Sequence, residues 1–207
     1  MSFFGSLLES KHLGLLREIV PQTGLVGMLL NRNGPLPETQ LKQVHEAART
    51  LTPAPAHRRG HPVCHPGGRR RHLRVDVRQV HSERDFDSAF SDFAQMRAGA
   101  ILIGADPFFY VQRELLIAQT ARHRLPAMYA RREFAQAGGL MSYGTTLVGS
   151  FHQVGIYTGQ ILKGAKPADL PVLQTATFEF VINLKTAKAL DVDIPPTLLA
   201  RADEVIE

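Results

Sequence analysis

The pattern that most constrains this chain is an alternation. Short apolar runs, each bounded by turn residues, take turns with helix-period segments about five times along the sequence. Residues 25–30 (LVGMLL), 73–80 (LRVDVRQV), 100–103 (AILI), 126–129 and 140–143 read as strands. Residues 38–50, 85–96, 107 to about 123, and 131–137 read as the helices between or after them. A leading amphipathic helix spans 6–20, with Leu7, Leu8, Leu15, Leu16 and Ile19 near one face, and Pro21 stops it. Beyond the alternating part come a helix over 146–162, a loop over 164–171, a strand over 178–182 and a helical turn or two over 184–190. The tail from Ile194 reads as mostly loop with a short helical piece. The spacing predicts an α/β fold: a parallel sheet of about five strands flanked by helices, with strand centres near Met28, Val75, Leu102, Met128 and Met141. In such sheets ligands sit at the carboxyl ends of the strands, so 31–35, 104–109, 129–132 and 142–146 are the loops of interest.

With 44% hydrophobic residues the chain can bury a core, and its single cysteine, Cys64, excludes an internal disulfide framework. No apolar run approaches the roughly 20 residues that span a bilayer. The N-terminal stretch lacks the charged start, continuous apolar stretch and small-residue cleavage site of a secretory signal, so the chain as written carries no export address. The formal charge of +5 is concentrated in one place. Between residues 57 and 80 lie seven arginines (Arg58, Arg59, Arg69, Arg70, Arg71, Arg74, Arg78) against Asp76 alone, which leaves the remainder slightly acidic. The basic character therefore belongs to a segment and not to the fold, which weakens any inference to nucleic acid.

Residues 52–72 break the pattern. They hold four prolines, Gly67-Gly68 and many Arg and His, with no helical or strand period. Such a composition is expected to stay disordered. Either a shifted reading frame in GC-rich DNA or a true basic loop would produce it. His57, His61, Cys64 and His65 superficially resemble metal ligands, but the standard paired spacings are absent, and accidental clustering is the better account. No serine–histidine–acid grouping, phosphate loop, dinucleotide fingerprint or catalytic carboxylate pair stands out, so neither an enzyme nor a cofactor is expected.

The candidate binding residues lie in the carboxyl-end loops. Asp106 follows a central strand, where its carboxylate could pair with a ligand ammonium group; as an N-cap before Pro107 it has an equally good structural role. Asn31 and Asn33 could hydrogen-bond a polar ligand or simply build the turn before Gly34-Pro35. Phe108, Phe109 and Tyr129 could wall an apolar ligand, with helix packing the competing account for the two phenylalanines. Ser142 and Tyr143 stand where the chain leaves the sheet, and Gly144 and Thr146 mark a hinge.

Three stretches carry a family signature: ARHRLPAMYARREFAQAGGLMSYG (121–144), ILKGAKPADLPV (161–172) and FEFVINLKTAKALDVDIPPTLLARADEVIE (178–207). With SLLESKHLGLLREIVPQ and ADPFF, they closely resemble the substrate-binding proteins of ABC importers that include tryptophan- and tyrosine-type uptake proteins. The resemblance covers nearly all of 2–51 and 82–207. It implies a type I periplasmic-binding fold, two α/β lobes joined by three hinge crossings, and no chemistry on the ligand. The implied partners are a small organic solute, such as an amino acid, and an inner-membrane ABC permease. The implied location is the periplasm; without a signal peptide the chain as written would stay in the cytoplasm.

Relatives in this family are about half as long again, so the chain resembles the second lobe alone. On that reading 1–144 form the lobe with 52–72 as an insert, 145–174 pack on a first lobe, and 175–207 return. The apolar residues of 146–162 would then be exposed and favour self-association. Half the ligand contacts would be missing. The competing reading is a nucleic-acid- or anion-binding protein acting through the Arg-rich segment 57–78.

Overall fold

In a computed structural model the described residues are 4–34, 37–51, 73–171 and 178–207. Seven strands among them form one sheet: β1 (Leu25–Asn31), β2 (Arg74–Val80), β3 (Ala100–Ile103), β4 (Ala127–Tyr129), β5 (Met141–Thr145), β6 (Phe178–Asn183) and β7 (Glu204–Ile206). Their order is β2-β1-β3-β4-β5-β6-β7. The first five pair in parallel, with Met28 beside Leu102, Leu102 beside Met128 and Met128 beside Met141. All five expected centres thus lie on strands. β6 then runs antiparallel to β5, and β7 parallel to β6.

Two strands therefore extend the expected sheet. β6 was legible as a strand, while β7 falls in the tail read as loop and a short helical piece. A bracket around Asp203 holds β7 in place. The Asp203 amide donates to the Phe180 carbonyl at 2.8 Å, and the Phe180 amide donates to Asp203 Oδ2 at 2.7 Å.

The helices are α1 (Phe4–Ile19), α2 (Pro37–Leu51), α3 (Arg84–Gln95), α4 (Pro107–Val111), α5 (Arg113–Arg122), α6 (Arg132–Gln136), α7 (Leu147–Leu162), α8 (Leu184–Leu190) and α9 (Pro196–Leu199). The one helix expected from Pro107 to about His123 is interrupted at Gln112, which adopts φ −91°, ψ 19°. Strand pleating sends alternate residues to opposite faces. Ala100 and Leu102 of β3 face α1 and α2 and pack with Leu13, Leu16 and Val44. Ile101 and Ile103 face the other way, toward Phe86, Phe90 and Phe93 of α3, Phe109 of α4 and Leu116 of α5. All four β3 residues are buried, as a central parallel strand covered on both sides requires.

α7 stands apart from both layers. Val148, Phe151 and Leu162 are 81%, 69% and 83% exposed, and Val154, Ile156 and Ile161 are exposed as well. Its start is capped by Thr146, whose hydroxyl accepts from the Gly149 amide at 3.1 Å. Its second half is tied back by Tyr157, whose hydroxyl donates to the Pro171 carbonyl. None of the described helices is long and apolar enough to cross a membrane.

The Arg/His/Pro-rich stretch 52–72 lies outside the described residues, and with it His57, His61, Cys64, His65 and the Arg58–Arg71 arginines. Of the basic residues beyond it, Arg78 is engaged by Asp76 at 3.1 Å and Asp92 at 3.5 Å on the sheet edge.

Candidate functional site

The carboxyl ends of β1, β3 and β4 form one rim of the sheet. At that rim Asn31 and Asp106, 75 positions apart, are joined directly: Asn31 Nδ2 donates to Asp106 Oδ1 at 2.9 Å. Local chemistry holds both. Asn31 Oδ1 accepts from the Asn33 amide at 3.0 Å, and the Gly34 amide donates to the Asn31 carbonyl at 3.2 Å, closing the turn. Asp106 caps α4, its Oδ1 accepting from the Phe108 amide at 2.8 Å, with Pro107 in the first helical position. Both roles weighed for Asp106 are thus compatible: Oδ1 takes the cap and Asn31, while Oδ2 accepts no hydrogen bond among the described residues. Gly34 makes room for it, since a Cβ at that position would stand 2.4 Å from Asp106 Oδ2. The helix after the cap is too short to contribute a strong dipole, so the free carboxylate oxygen is the chemical feature of the rim.

The other sequence candidates are placed differently. Phe108 is half-buried beside Phe86 and Phe109, at ring separations of 5.7 and 5.6 Å, and serves mainly as packing. Phe109 is buried in the same cluster. Tyr129 lies wholly beneath the rim. Its ring stacks on Phe134 at 4.6 Å and its hydroxyl meets Thr120 Oγ1 at 3.1 Å. Burial pushes its phenol well above the ordinary tyrosine range, with the Thr120 hydrogen bond working weakly in the opposite direction.

Ser142 sits beside Tyr129 in the β4–β5 ladder and is fully buried, with no hydrogen-bond partner for its Oγ. It is two ladder positions below the level of Gly144, so it does not join Asn31 and Asp106 at the rim. Tyr143 projects to the opposite face of the sheet. There it stacks on Phe178 at 5.5 Å and meets His12 edge-on at 6.0 Å. Gly144 is a strand residue paired with Glu179. It is glycine because of close approach and not for freedom of φ: a Cβ there would lie 1.8 Å from the Ala130 carbonyl oxygen. Thr146, also expected at a hinge, is the cap of α7.

Two adjacent arginines at the end of β4 were not singled out in the sequence. Arg132 donates from Nη1 to Glu179 Oε2 at 2.8 Å and from Nη2 to Glu204, tying α6 to β6 and β7. Arg131 is half-buried and lines the same shallow depression as Asp106, Gly104 and Tyr110. A larger open cavity of about 490 Å³ lies at the other end of the sheet, beside α8. Its charged lining is already engaged in part, with Lys185 donating to the Glu207 carbonyl. The strand-end rule favours the Asp106 rim over that cavity. Among the described residues no cluster of His, Cys, Asp or Glu is arranged to hold a metal ion.

Solved structures share this fold. An ABC domain from Streptococcus pneumonia in complex with L-Trp superposes with a TM-score of 0.79 at 23% identity, covering 96% of this chain and 60% of that one. A conserved domain protein from Vibrio cholerae O1 biovar El Tor gives 0.79 at 20% identity, with 95% and 60% covered. A ligand-free, open substrate-binding protein with adhesive properties from Clostridium difficile gives 0.64 at 16%, with 95% and 59% covered. The chain thus spans about 60% of the length of these relatives. Among curated proteins none matches the chain in sequence. The family model for ABC transporter substrate binding proteins matches residues 69–206, well over half of the chain, which takes in the described fold from β2 to β7. The chain belongs to the ABC transporter substrate-binding protein family.

Proposed function

We propose that the chain is the solute-capturing component of an ABC importer and takes a small organic solute at the rim formed by Asn31 and Asp106. The observation that carries this reading is the half-used Asp106 carboxylate. One oxygen is fixed by Asn31 and the Phe108 amide, so the side chain is held in place. The other oxygen is available to a ligand donor. A held acceptor costs little ordering entropy when it binds, which is what recognition of a small polar solute requires. An amino acid, through its ammonium group, suits such an acceptor. The L-Trp held by the Streptococcus protein is in keeping with that class.

On this reading the solute is held and released without chemical change, and the partner is a membrane permease facing the periplasm. The family fold closes two lobes around the ligand. The exposed apolar face of α7 and the 163–171 turn suit packing on a first lobe, so the described residues would supply one side of the site. Titration of the chain with the twenty common L-amino acids, several sugars and nucleosides, followed by amide NMR, tests the reading. The expected result is a saturable shift of the Asn31 side-chain amide and the Phe108 backbone amide, lost in Asp106→Ala. Shifts confined to the α8 cavity, or none at all, would overturn it.

A further inference from the structure

Arg131 and Arg132 are neighbours in sequence with opposite fates. Arg132 is spent on structure, because its two terminal nitrogens are taken by Glu179 and Glu204. Arg131 contributes to the fold through its backbone: it is extended at φ −140°, ψ 140°, and its carbonyl accepts from the Phe134 amide at 3.2 Å to open α6. Its guanidinium has no hydrogen-bond or ion-pair partner among the described residues. The fold therefore fixes where Arg131 stands and leaves its five donors available.

What shares its surroundings gives that freedom a meaning. Arg131 and Asp106 line one shallow depression at the carboxyl ends of β3 and β4, together with Gly104 and Ala105. They carry opposite charge, yet no ion pair joins them. Asp106 is held by its cap and Asn31, whereas Arg131 is held at its backbone by the α6 turn and keeps its guanidinium unengaged among the described residues. Two opposite charges, one fixed and one unengaged, that do not neutralise each other beside one shallow depression form a dipolar receptor. Its complement is a small zwitterion. A planar guanidinium is suited to a carboxylate, which it can grip through two parallel hydrogen bonds, and the free Asp106 oxygen is suited to an ammonium group. Gly104 and Ala105, which share the lining, add no bulky side chain there.

We propose that Arg131 is the carboxylate-reading residue of the solute site, and that with Asp106 it selects free α-amino acids over their amides, amines and other polar solutes. This rests on the solute-binding reading of the rim given above, and it adds the residue that decides which class of solute is accepted.

The test uses the full chain and the amino acid that binds most tightly among the twenty, together with its carboxamide, in which the carboxylate is gone and the ammonium retained. The wild-type chain is expected to favour the free acid by about 10- to 100-fold, the range of one charge-assisted contact. Arg131→Gln should abolish that preference by weakening the acid and leaving the amide unchanged. Arg131→Lys should restore part of it, since the charge returns without the paired geometry. An unchanged thermal midpoint in both variants is expected, because the Arg131 side chain makes no hydrogen bond or ion pair among the described residues. If Arg131→Gln binds acid and amide in the wild-type ratio, the inference is overturned and the solute-binding reading stands. If sugars or nucleosides bind at Asp106 and no amino acid does, the same holds. If no solute shifts the rim at all, both fall together.

Discussion

His12 Nε2 lies 2.6 Å from the Tyr143 carbonyl oxygen, a bond that spans 131 residues and fastens α1 to β5. The imidazole must donate through Nε2, since a carbonyl can only accept. His12 is 1% exposed and Glu9, one helical turn earlier, is 3% exposed, with Nδ1 3.7 Å from Glu9 Oε2. Replacing His12 by Ala removes the donor to Tyr143 and the imidazole that stands beside the buried Glu9 carboxyl. The expected loss is about 1–3 kcal/mol of unfolding free energy. Gln, which keeps a donor, should recover part of it. Urea denaturation of the three proteins measures this.

Gly144→Ala should be more damaging than any other single-methyl addition to the β5 strand. The new Cβ would meet a backbone carbonyl, that of Ala130, which cannot rotate away as a side chain can. The β4–β5 region would have to part, at a cost of about 3 kcal/mol. A thermal midpoint equal to that of the parent chain would refute the close-approach account.

Asp85 supplies the clearest acid dependence. The amides of His81 and Ser82 both donate to its Oδ2, at 2.8 and 3.0 Å, at the approach to α3. Those amide bonds, His81 first, hold its carboxyl below the ordinary aspartate range, and desolvation opposes them only in part. A depressed folded value means that the carboxylate stabilises the fold above the unfolded value, near pH 3.9, and that the contribution is lost as pH falls through the folded one. Asp85→Asn should therefore lower stability at neutral pH and flatten its decline in acid. Thermal midpoints between pH 2 and 6 show whether the two curves converge as expected.

The bare face of α7 should make the isolated chain sticky. Val148, Phe151, Val154 and Leu162 present apolar surface to water, and monomers rarely leave a contiguous patch beyond a few hundred Å² uncovered. Sedimentation velocity is expected to show concentration-dependent association and binding of a hydrophobic dye. Phe151→Glu should shift the chain toward monomer without lowering its melting point. A monomeric parent that ignores the dye would count against an interface role for this helix.

Much of the fold could be read in advance because a buried parallel strand is apolar on both sides and interrupts helical periodicity. That is why AILI and LVGMLL were plain. β7 was not: three residues, EVI, give no period, and their pairing depends on Asp203 finding the Phe180 backbone 23 positions away. At the rim, Asp106 was legible because a capping aspartate before proline is a local signal. Its bond to Asn31 was not, since only the β1–β3 pairing brings the two loops together. Tyr129 and Ser142 looked like rim residues because they sit near strand ends. The ladder register puts both below the surface, and one step along a strand reverses the face a side chain takes. Arg131 and Arg132 are indistinguishable in sequence. The division of labour between them appears only once Glu179 and Glu204 arrive from the distant C-terminal strands.

The antiparallel β6 has a mechanical consequence. β5 ends at Thr145 and β6 begins at Phe178, and these two residues are the last partners of one ladder. The excursion through α7 thus leaves and re-enters the sheet at a single corner. A force that draws α7 away from the sheet acts on that corner. It opens the five paired positions one after another, from Thr145 and Phe178 inward to Met141 and Ile182, as a zipper opens. Tension along β4 and β5, by contrast, would have to slide a parallel ladder whose bonds yield together. Among the described residues the α7 corner is therefore expected to be a compliant joint. A body resting against α7 would then be expected to swing through small angles while the parallel sheet and its rim of Asn31, Asp106 and Arg131 keep their shape.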